Sequence, residues 1–491
     1  MRVSQHQAVV SRPLPALLAA ASAAVAAAAW ATELPAVRPN VVFIMADDLG
    51  WTDLACFGSG YYETPHVDRL AAEGLRLTSH HHCQNCTPTR AALMSGQHPA
   101  RTGVFTVGSI DRFDWQSQAL RPVDNVTKLP LDREIIAAAL KRAGYATGMF
   151  GKWHIGETGE YSPGRRGFDE AITSHGRHFG FETVPEQSHP ADEYLADFLT
   201  DRAVEFIARH AAEPFFLYLP HFGVHAPFEA KPDLRARFEG RPPVGGHRNA
   251  TYAAMIASVD ESVGRVRRAL EQHGVADRTV VIFTSDNGGV GGYAREGVLN
   301  ARGDITDNAP LRSGKGSLYE GGTRVPFIVH WPGVTPAGTA CDEPTIHVDL
   351  YPTLLEITGG PKPPQVLDGE SLVRLFRDPT ARLDREAIYQ HFPGYLGAGQ
   401  GTFRTRPVSL IQAGRWKLME FLEDGRLELY DLAADIGEQR DLAAELPGKV
   451  RELHAKLLAW RQEVGAPMPT ANHDRRPPAA GGRPARARSG T

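Results

Sequence analysis

The chain has 491 residues, 42% of them apolar, which allows a large buried core and about two to four domains, or one large α/β unit with an appendage. Lysine and arginine number 53 against 57 aspartate and glutamate, a formal net charge of −4 that argues against a general nucleic-acid or polyanion binder. Four cysteines exclude a disulfide scaffold.

Residues 1–31 read as an export signal: Arg2 and Arg12 precede an apolar Leu/Ala run over 17–29, and Ala29-Trp30-Ala31 forms an A-x-A cleavage site. Cleavage would free a periplasmic or secreted protein, with no stable membrane insertion afterwards. Residues 41–45 (VVFIM) predict a short buried strand. Residues 133–143 predict a helix with Asp132 as N-cap and Gly144 as stop. A strand is expected at 146–150, a helix at 194–210 and a strand at 215–218. Met255, Ile256, Val259, Val263, Val266 and Leu270 recur at helical spacing, and strands follow at 279–284 and 325–330. This alternation predicts an α/β fold: a large, mostly parallel sheet flanked by helices on both faces, over residues 32–386. Residues 416–421, a turn at 423–425 and residues 428–432 read as an antiparallel hairpin, followed by an amphipathic helix at 450–460. They place a small α+β subdomain with an antiparallel sheet at 387–465. Residues 466–491 read as a disordered, arginine-rich tail. Without signal and tail, 46 Lys+Arg face 56 Asp+Glu. Any attraction for an anion must then be local, within a cleft.

Chemistry in open α/β sheets gathers beyond the carboxyl ends of the strands. Asp47-Asp48, Lys152-Trp153-His154, His221 with His225, and Asp286-Asn287 each follow a predicted strand. Asp47, Asp48, Asp286 and Asn287 offer oxygen donors alone, a set that suits Ca²⁺, with Mg²⁺ second, rather than zinc. The run His80-His81-His82 reads as a solvated loop.

Cys86-Thr87-Pro88-Thr89-Arg90 carries the C-x-P-x-R pattern, and residues 91–96 (AALMSG) continue it. In this the chain resembles the formylglycine-dependent sulfatase family, of arylsulfatase type, in the alkaline phosphatase superfamily. The resemblance extends in order through NVVFIMADDLG (40–50), AGYATGMFGKWHIG (143–156), HFGVHAP (221–227), SDNGG (285–289), LRSGKGSLYEGGTRVP (311–326), DLYPTLLEITGG (349–360) and ELYDLAADIGEQRD (428–441). Thr89 stands where serine is commoner in the signature, and Ser95 where threonine is commoner. The resemblance implies a sulfuric ester hydrolase whose Cys86 is converted to formylglycine by a maturation enzyme. It makes Cys86, Arg90, Lys152, His154, His225 and Lys315 the catalytic set, and places the cation on Asp47, Asp48, Asp286 and Asn287, against position 86. One hydroxyl of the hydrated aldehyde would attack sulfur and the second would expel sulfate. His154 would take the diol's proton, His225 would protonate the leaving oxygen, and His221 would support its loop. The implied substrate is a sulfated small molecule or glycan, with aryl sulfates cleaved in vitro. A phosphonate monoester or phosphodiester hydrolase and a sulfoglycan-binding pseudoenzyme are the competing readings. Residues 102–115, 174–181 and 395–404 would shape the alcohol side, and their Arg112, Trp115, His175 and His178 are open to either role, sugar contact or scaffold.

Overall fold

The computed structural model describes Met1 and residues 38–298, 304–399 and 402–476. The expected signal at 1–31, apart from Met1, lies outside the described residues. The strands run β1 (Asn40–Ala46), β2 (Leu75–His81), β3 (Leu120–Arg121), β4 (Ala146–Gly151), β5 (Glu170–Thr173), β6 (Phe215–Pro220), β7 (Thr279–Ser285), β8 (Arg324–His330), β9 (Thr339–Cys341), β10 (Thr345–Ile346), β11 (Ile388–Phe392), β12 (Leu396–Gly399), β13 (Thr402–Thr405), β14 (Val408–Ala413), β15 (Trp416–Phe421), β16 (Arg426–Asp431) and β17 (Thr470–Ala471).

Nine strands form the main sheet, in the order β10-β2-β8-β7-β1-β6-β4-β5 with β9 also on β2. Only the pairings of β8 are antiparallel. The parallel strands read as apolar runs because both faces are covered. Val42 and Ile44 join one cluster, with Leu199 and Phe206 of the helix Leu195–His210 and Val259 and Val263 of the helix Ala250–Gln272. Val41, Phe43 and Met45 alternate into a second cluster on the other face, with Leu93, Ile136, Leu140 and Leu354. Beyond the main sheet, β11, β14, β15 and β16 form an antiparallel sheet, covered by the helix Pro447–Val464 through Leu453 and Leu457. The fold class is the one expected.

Three local expectations are corrected. The helix expected from Arg133 starts at Ile136, with Ile135 rather than Asp132 before it. The guanidinium of Arg166 binds the carbonyls of Leu129, Pro130 and Arg133, holding that segment out of the helix. His80, His81 and His82 are not a solvated loop. His80 and His81 end β2, and all three rings are buried. His81 Nε2 meets Glu320 at 3.0 Å, and His80 Nδ1 meets Thr345 Oγ1 at 2.8 Å. Finally, the tail is ordered at its start. β17 pairs with β3, and the Asn472 amide donates to the carbonyls of Gln116 and Gln118. Residues 477–491 lie outside the described residues. No helix among the described residues is long and apolar enough to cross a membrane, and Cys56, Cys83, Cys86 and Cys341 are free thiols.

Candidate active site

β1 and β7 lie side by side in parallel register, Ala46 opposite Ser285, so Asp47-Asp48 and Asp286-Asn287 leave the sheet together. β6 flanks β1 on its other side and sends out His221 and His225; β4 lies beyond it and sends out Lys152. Backbone bonds lock these ends to one another. Asp286 N–H donates to Ala46 O at 3.1 Å, Asp47 N–H to Gly223 O at 2.9 Å, and Lys152 N–H to Pro220 O at 2.8 Å. The Lys315 loop is pinned by Lys315 N–H on Gly289 O and Gly316 N–H on Gln84 O, at 2.9 and 2.7 Å. Gly314 permits this approach, since a Cβ there would stand 2.1 Å from Gly291 O.

Cys86 opens the fully buried helix Cys86–Ser95. Pro88 falls in the first turn, where no backbone N–H is required. Thr89 holds the approach to the helix: its hydroxyl accepts from Cys83 N–H and donates to Asn85 O, both at 3.1 Å. Arg90 lies one turn after Cys86, on the same face. Its Nη2 and Nε reach Asp286 Oδ2 at 2.8 and 3.2 Å, and Nη1 donates to Lys152 O at 2.7 Å.

Cys86 Sγ is 3.5 Å from Asp47 Oδ1 and 3.9 Å from Asp48 Oδ1. Lys152 Nζ contacts Asp47 Oδ2 at 2.5 Å and Lys315 Nζ contacts Asp48 Oδ2 at 2.7 Å. His225 Nε2 lies 3.7 Å from the same Asp48 oxygen, while its Nδ1 donates to Ala226 O at 2.6 Å. Asp48 N–H donates to Asp286 Oδ1 at 3.1 Å, and Asn287 Nδ2 donates to Asp48 Oδ1 at 2.9 Å. Asp48, at φ 66°, and His154, at φ 62°, adopt the left-handed region that non-glycine residues seldom occupy. Three carboxylates thus face three cations, Arg90 and Lys152 buried and Lys315 half-buried. The ligand atoms of Asp47, Asp48, Cys86 and His225 lie within 4.8 Å of one another, close enough for one ion.

Burial sets the electrostatics. It pushes Asp47 up to about 7, with Asp286 adding to the effect. Asp48 is buried too, but Lys315 and His225 draw it below its ordinary value. Asp286 is held far lower, because Arg90 and Lys152 outweigh its burial. Burial and Asp286 raise the Cys86 thiol well above its ordinary value, so the unmodified side chain is a protonated thiol and a poor nucleophile. Burial, with the repulsion of Lys152 and Arg90, pushes His154 well below 6.5. Burial lowers His225 to about 3, Lys315 and Lys152 adding to the shift against the pull of Asp48.

Residues 39–360 match the sulfatase family model, and residues 314–463 match the model for the C-terminal region of N-sulphoglucosamine sulphohydrolase. The chain belongs to the sulfatase family. It is a sulfuric ester hydrolase. A sulfatase of Formosa agariphila is 33% identical over 513 residues, covering 88% of this chain and 90% of that one. Human N-acetylgalactosamine-6-sulfatase is 32% identical over 361 residues, covering 68% of this chain and 65% of its own length. The crystal structure of Ps i-CgsB in complex with k-i-k-neocarrahexaose superposes with a TM-score of 0.72 at 27% identity, covering 90% of this chain and 94% of that one.

The remaining expected residues fall around this sulfatase centre. His221 is buried against Ser262 Oγ at 2.9 Å. His178 belongs to the scaffold rather than to a substrate surface: it is buried and its Nε2 holds the carbonyl of His225 at 2.8 Å. His175 is exposed, its ring 5.9 Å from that of His154. Arg112 is exposed, and Trp115 is half-buried with its Nε1 on Asp111. Sequence reasoning missed Thr87, whose Oγ1 is 3.3 Å from His154 Nδ1, and Glu157, which accepts His154 N–H at 2.8 Å. Thr87 sits inside the recognised signature, which could have pointed to it; Glu157 carries no such signal.

Proposed function

We propose that the enzyme hydrolyses a sulfate ester carried by a carbohydrate, and aryl sulfates in vitro. The reading includes a formylglycine made from Cys86 and a calcium ion, magnesium second, on Asp47, Asp48, Asp286 and Asn287. The observation that carries it is the convergence of position 86, three carboxylates and three cations beyond the carboxyl ends of β1, β4 and β7.

The residues present fit a hard divalent cation. The donors are oxygens, and Asn287 Oδ1 is buried without a partner, an acceptor still to be satisfied. With the carboxylates and cations in balance, two further positive charges would favour an anionic sulfate ester. When bound, such an ion polarises a sulfate oxygen and the oxygen at position 86. In the protein as encoded, Cys86 Sγ stands in for that oxygen. Hydration of the aldehyde supplies the diol that serine would lack. Arg90 orients position 86 through its rigid fork on Asp286. Lys152 and Lys315 carry their charge to the sulfate oxygens and the leaving group. His154, neutral at working pH, is suited to take a proton from the diol. The Nδ1–H of His225 is committed to Ala226 O, leaving Nε2 to carry a proton to the leaving oxygen. An anionic substrate beside it offsets the lysines and favours the charged ring.

The reading includes export to the periplasm or outside, removal of residues 1–31, and a partner enzyme that matures Cys86. It keeps residues 32–386 as the catalytic domain and 387–465 as the C-terminal subdomain.

Mass spectrometry tests it. Loss of H₂S and gain of oxygen make the peptide containing position 86 about 18 Da lighter than encoded. Cys86→Ala is expected to fold and to release no sulfate from a panel of sulfated sugars. Full turnover by homogeneous, unconverted Cys86 protein would overturn the formylglycine part. A preference for an aryl phosphodiester over an aryl sulfate would favour the phosphodiesterase reading.

A further inference from the structure

Arg404 lies on β13, in the β12–β13 hairpin contributed by the C-terminal region. Its guanidinium carbon stands 4.5 Å from the centroid of the Tyr293 ring, and its Nη1 donates to Lys315 O at 3.4 Å. Tyr293 Oη donates to the same carbonyl at 2.7 Å. Arg404 is therefore fastened to the backbone of the residue whose ammonium holds Asp48. Gly316 makes room for it: φ is +91°, and a Cβ there would meet Arg404 Cδ at 2.9 Å.

Among the described residues no carboxylate neutralises its charge. Other arginines of these segments each have a carboxylate: Arg406 on Glu423 at 2.5 Å, Arg295 on Asp307 at 2.8 Å, and Arg312 on Glu296 at 3.1 Å. Among the described residues Arg404 pairs with none. Its buried Nε has no hydrogen-bond partner among the described residues. The other side of the hairpin rests on the 102–115 segment, where a Cβ on Gly397 would lie 2.7 Å from Phe113 Cδ1. That segment carries Arg112, which donates to Val107 O at 2.6 Å and likewise has no carboxylate partner among the described residues. Arg404 is half-buried and fastened beside Lys315 without a carboxylate, so a bound anion would offset the cost of holding its charge there. A guanidinium held over an aromatic ring is also preorganised for a planar or tetrahedral oxyanion.

We propose that Arg404, with Arg112, forms a second-anion subsite, which binds a carboxylate or a further sulfate on a sugar adjoining the sulfate ester that is cleaved. The proposal rests on the sulfate-ester reading of the central site and assigns the substrate class as a polyanionic glycan. Arg404 thereby acts on specificity, through binding.

The experiment compares the wild type, Arg404→Gln and Arg404→Lys as full-length matured enzyme on three substrates. These are 4-nitrophenyl sulfate, a chondroitin 6-sulfate oligosaccharide (uronate as second anion), and an ι-carrageenan oligosaccharide (sulfate as second anion, no carboxylate). On at least one oligosaccharide, kcat/KM of Arg404→Gln should fall at least tenfold more than on 4-nitrophenyl sulfate, mainly through KM. Arg404→Lys should recover part of the loss. The arm that responds identifies the second anion. Calorimetric binding of both oligosaccharides to Cys86→Ala, with and without Arg404→Gln, reads the subsite independently of turnover. Affinity should drop at least tenfold and become less salt-dependent. If no sulfate ester is hydrolysed, the central reading fails while the binding arm still decides the subsite. Equal losses on all three substrates, or unchanged oligosaccharide affinity, would overturn the proposal.

Discussion

Replacing Arg90 with methionine keeps the length of the side-chain stem and removes the guanidinium. Arg90 is 1% exposed, and it supplies three bonds: two to Asp286 Oδ2 and one to Lys152 O. Its Nη2 also stands 3.8 Å from Asp47. Removing one member of a buried ion pair costs about 3–5 kcal/mol, and an orphaned carbonyl about 1–3 kcal/mol more. Lys152 and Lys315 continue to favour the Asp286 anion, so a total near the lower end, about 4 kcal/mol, is expected. Urea unfolding of the EDTA-treated protein, followed by tryptophan fluorescence, measures it. Arg90→Lys should lose less, since it keeps the charge but not the fork. Asp286→Asn added to Arg90→Met should cost less than the sum of the single changes, because the uncompensated charge goes with it. Turnover should fall to background in Arg90→Met. A stability loss under about 1 kcal/mol for Arg90→Met would refute the description of this pair as a buried ion pair.

Two further perturbations address the histidines. His225→Ala should reduce turnover most for poor leaving groups such as sugar alkoxides, and least for a nitrophenolate, which departs without a proton; equal losses on both would remove His225 from the role of acid. Burial lowers His221 and His391 to about 4 in the folded protein, against about 6.5 in the unfolded chain. The unfolded chain then binds protons first, so this stability is complete above pH 6.5 and is lost as pH falls from 6.5 to 4. The loss is on the order of 3 kcal/mol per residue. His391→Gln should flatten the slope in urea titrations across that range, and an unchanged slope would contradict the assignment.

The positions of the central residues were legible because the sheet makes them so. Strands buried on both faces read as uninterrupted apolar runs, and in such sheets the polar residue after each run reaches the common rim. Asp47, Lys152, His225 and Asp286 fall there for that reason. Lys315 follows no strand and came from motif resemblance. The histidine run at 80–82 was misread because three adjacent polar rings carry no apolar signal. Their partners are supplied from 239 and 265 residues away, by Glu320 and Thr345. The same holds for Asp132, a sound N-cap by local rules, overridden by Arg166 reaching from another loop. Arg404 was equally silent, since its meaning depends on carboxylates that are not near it.

Lys417 shows how the C-terminal sheet is joined to the catalytic loops, and it gives a last test. It is on β15 and 1% exposed. Its Nζ donates to Leu318 O at 2.9 Å, to Glu320 at 2.8 Å and to Glu438 at 2.8 Å. Arg324 and His81 complete the ring around Glu320, at 2.6 and 3.0 Å. Despite burial, Glu320 is kept far below its ordinary value by Lys417 and Arg324. Glu438 is pushed by burial up to about 7, Lys417 opposing the shift and Glu320 reinforcing it. Lys417→Met would leave Glu438 facing Glu320 without a cation between them, a loss of about 3–5 kcal/mol. Leu318 lies three residues beyond Lys315, so kcat/KM should fall with stability as the loop loses its anchor. Glu438→Gln in the Lys417→Met background should restore part of the stability, since it removes the like charge while keeping the acceptor for Glu320 N–H. Urea midpoints and sulfate release from 4-nitrophenyl sulfate measure both. A Lys417→Met protein as stable as the wild type, or further damage from Glu438→Gln, would show that packing rather than this ion cluster holds the sheet to the active-site loop.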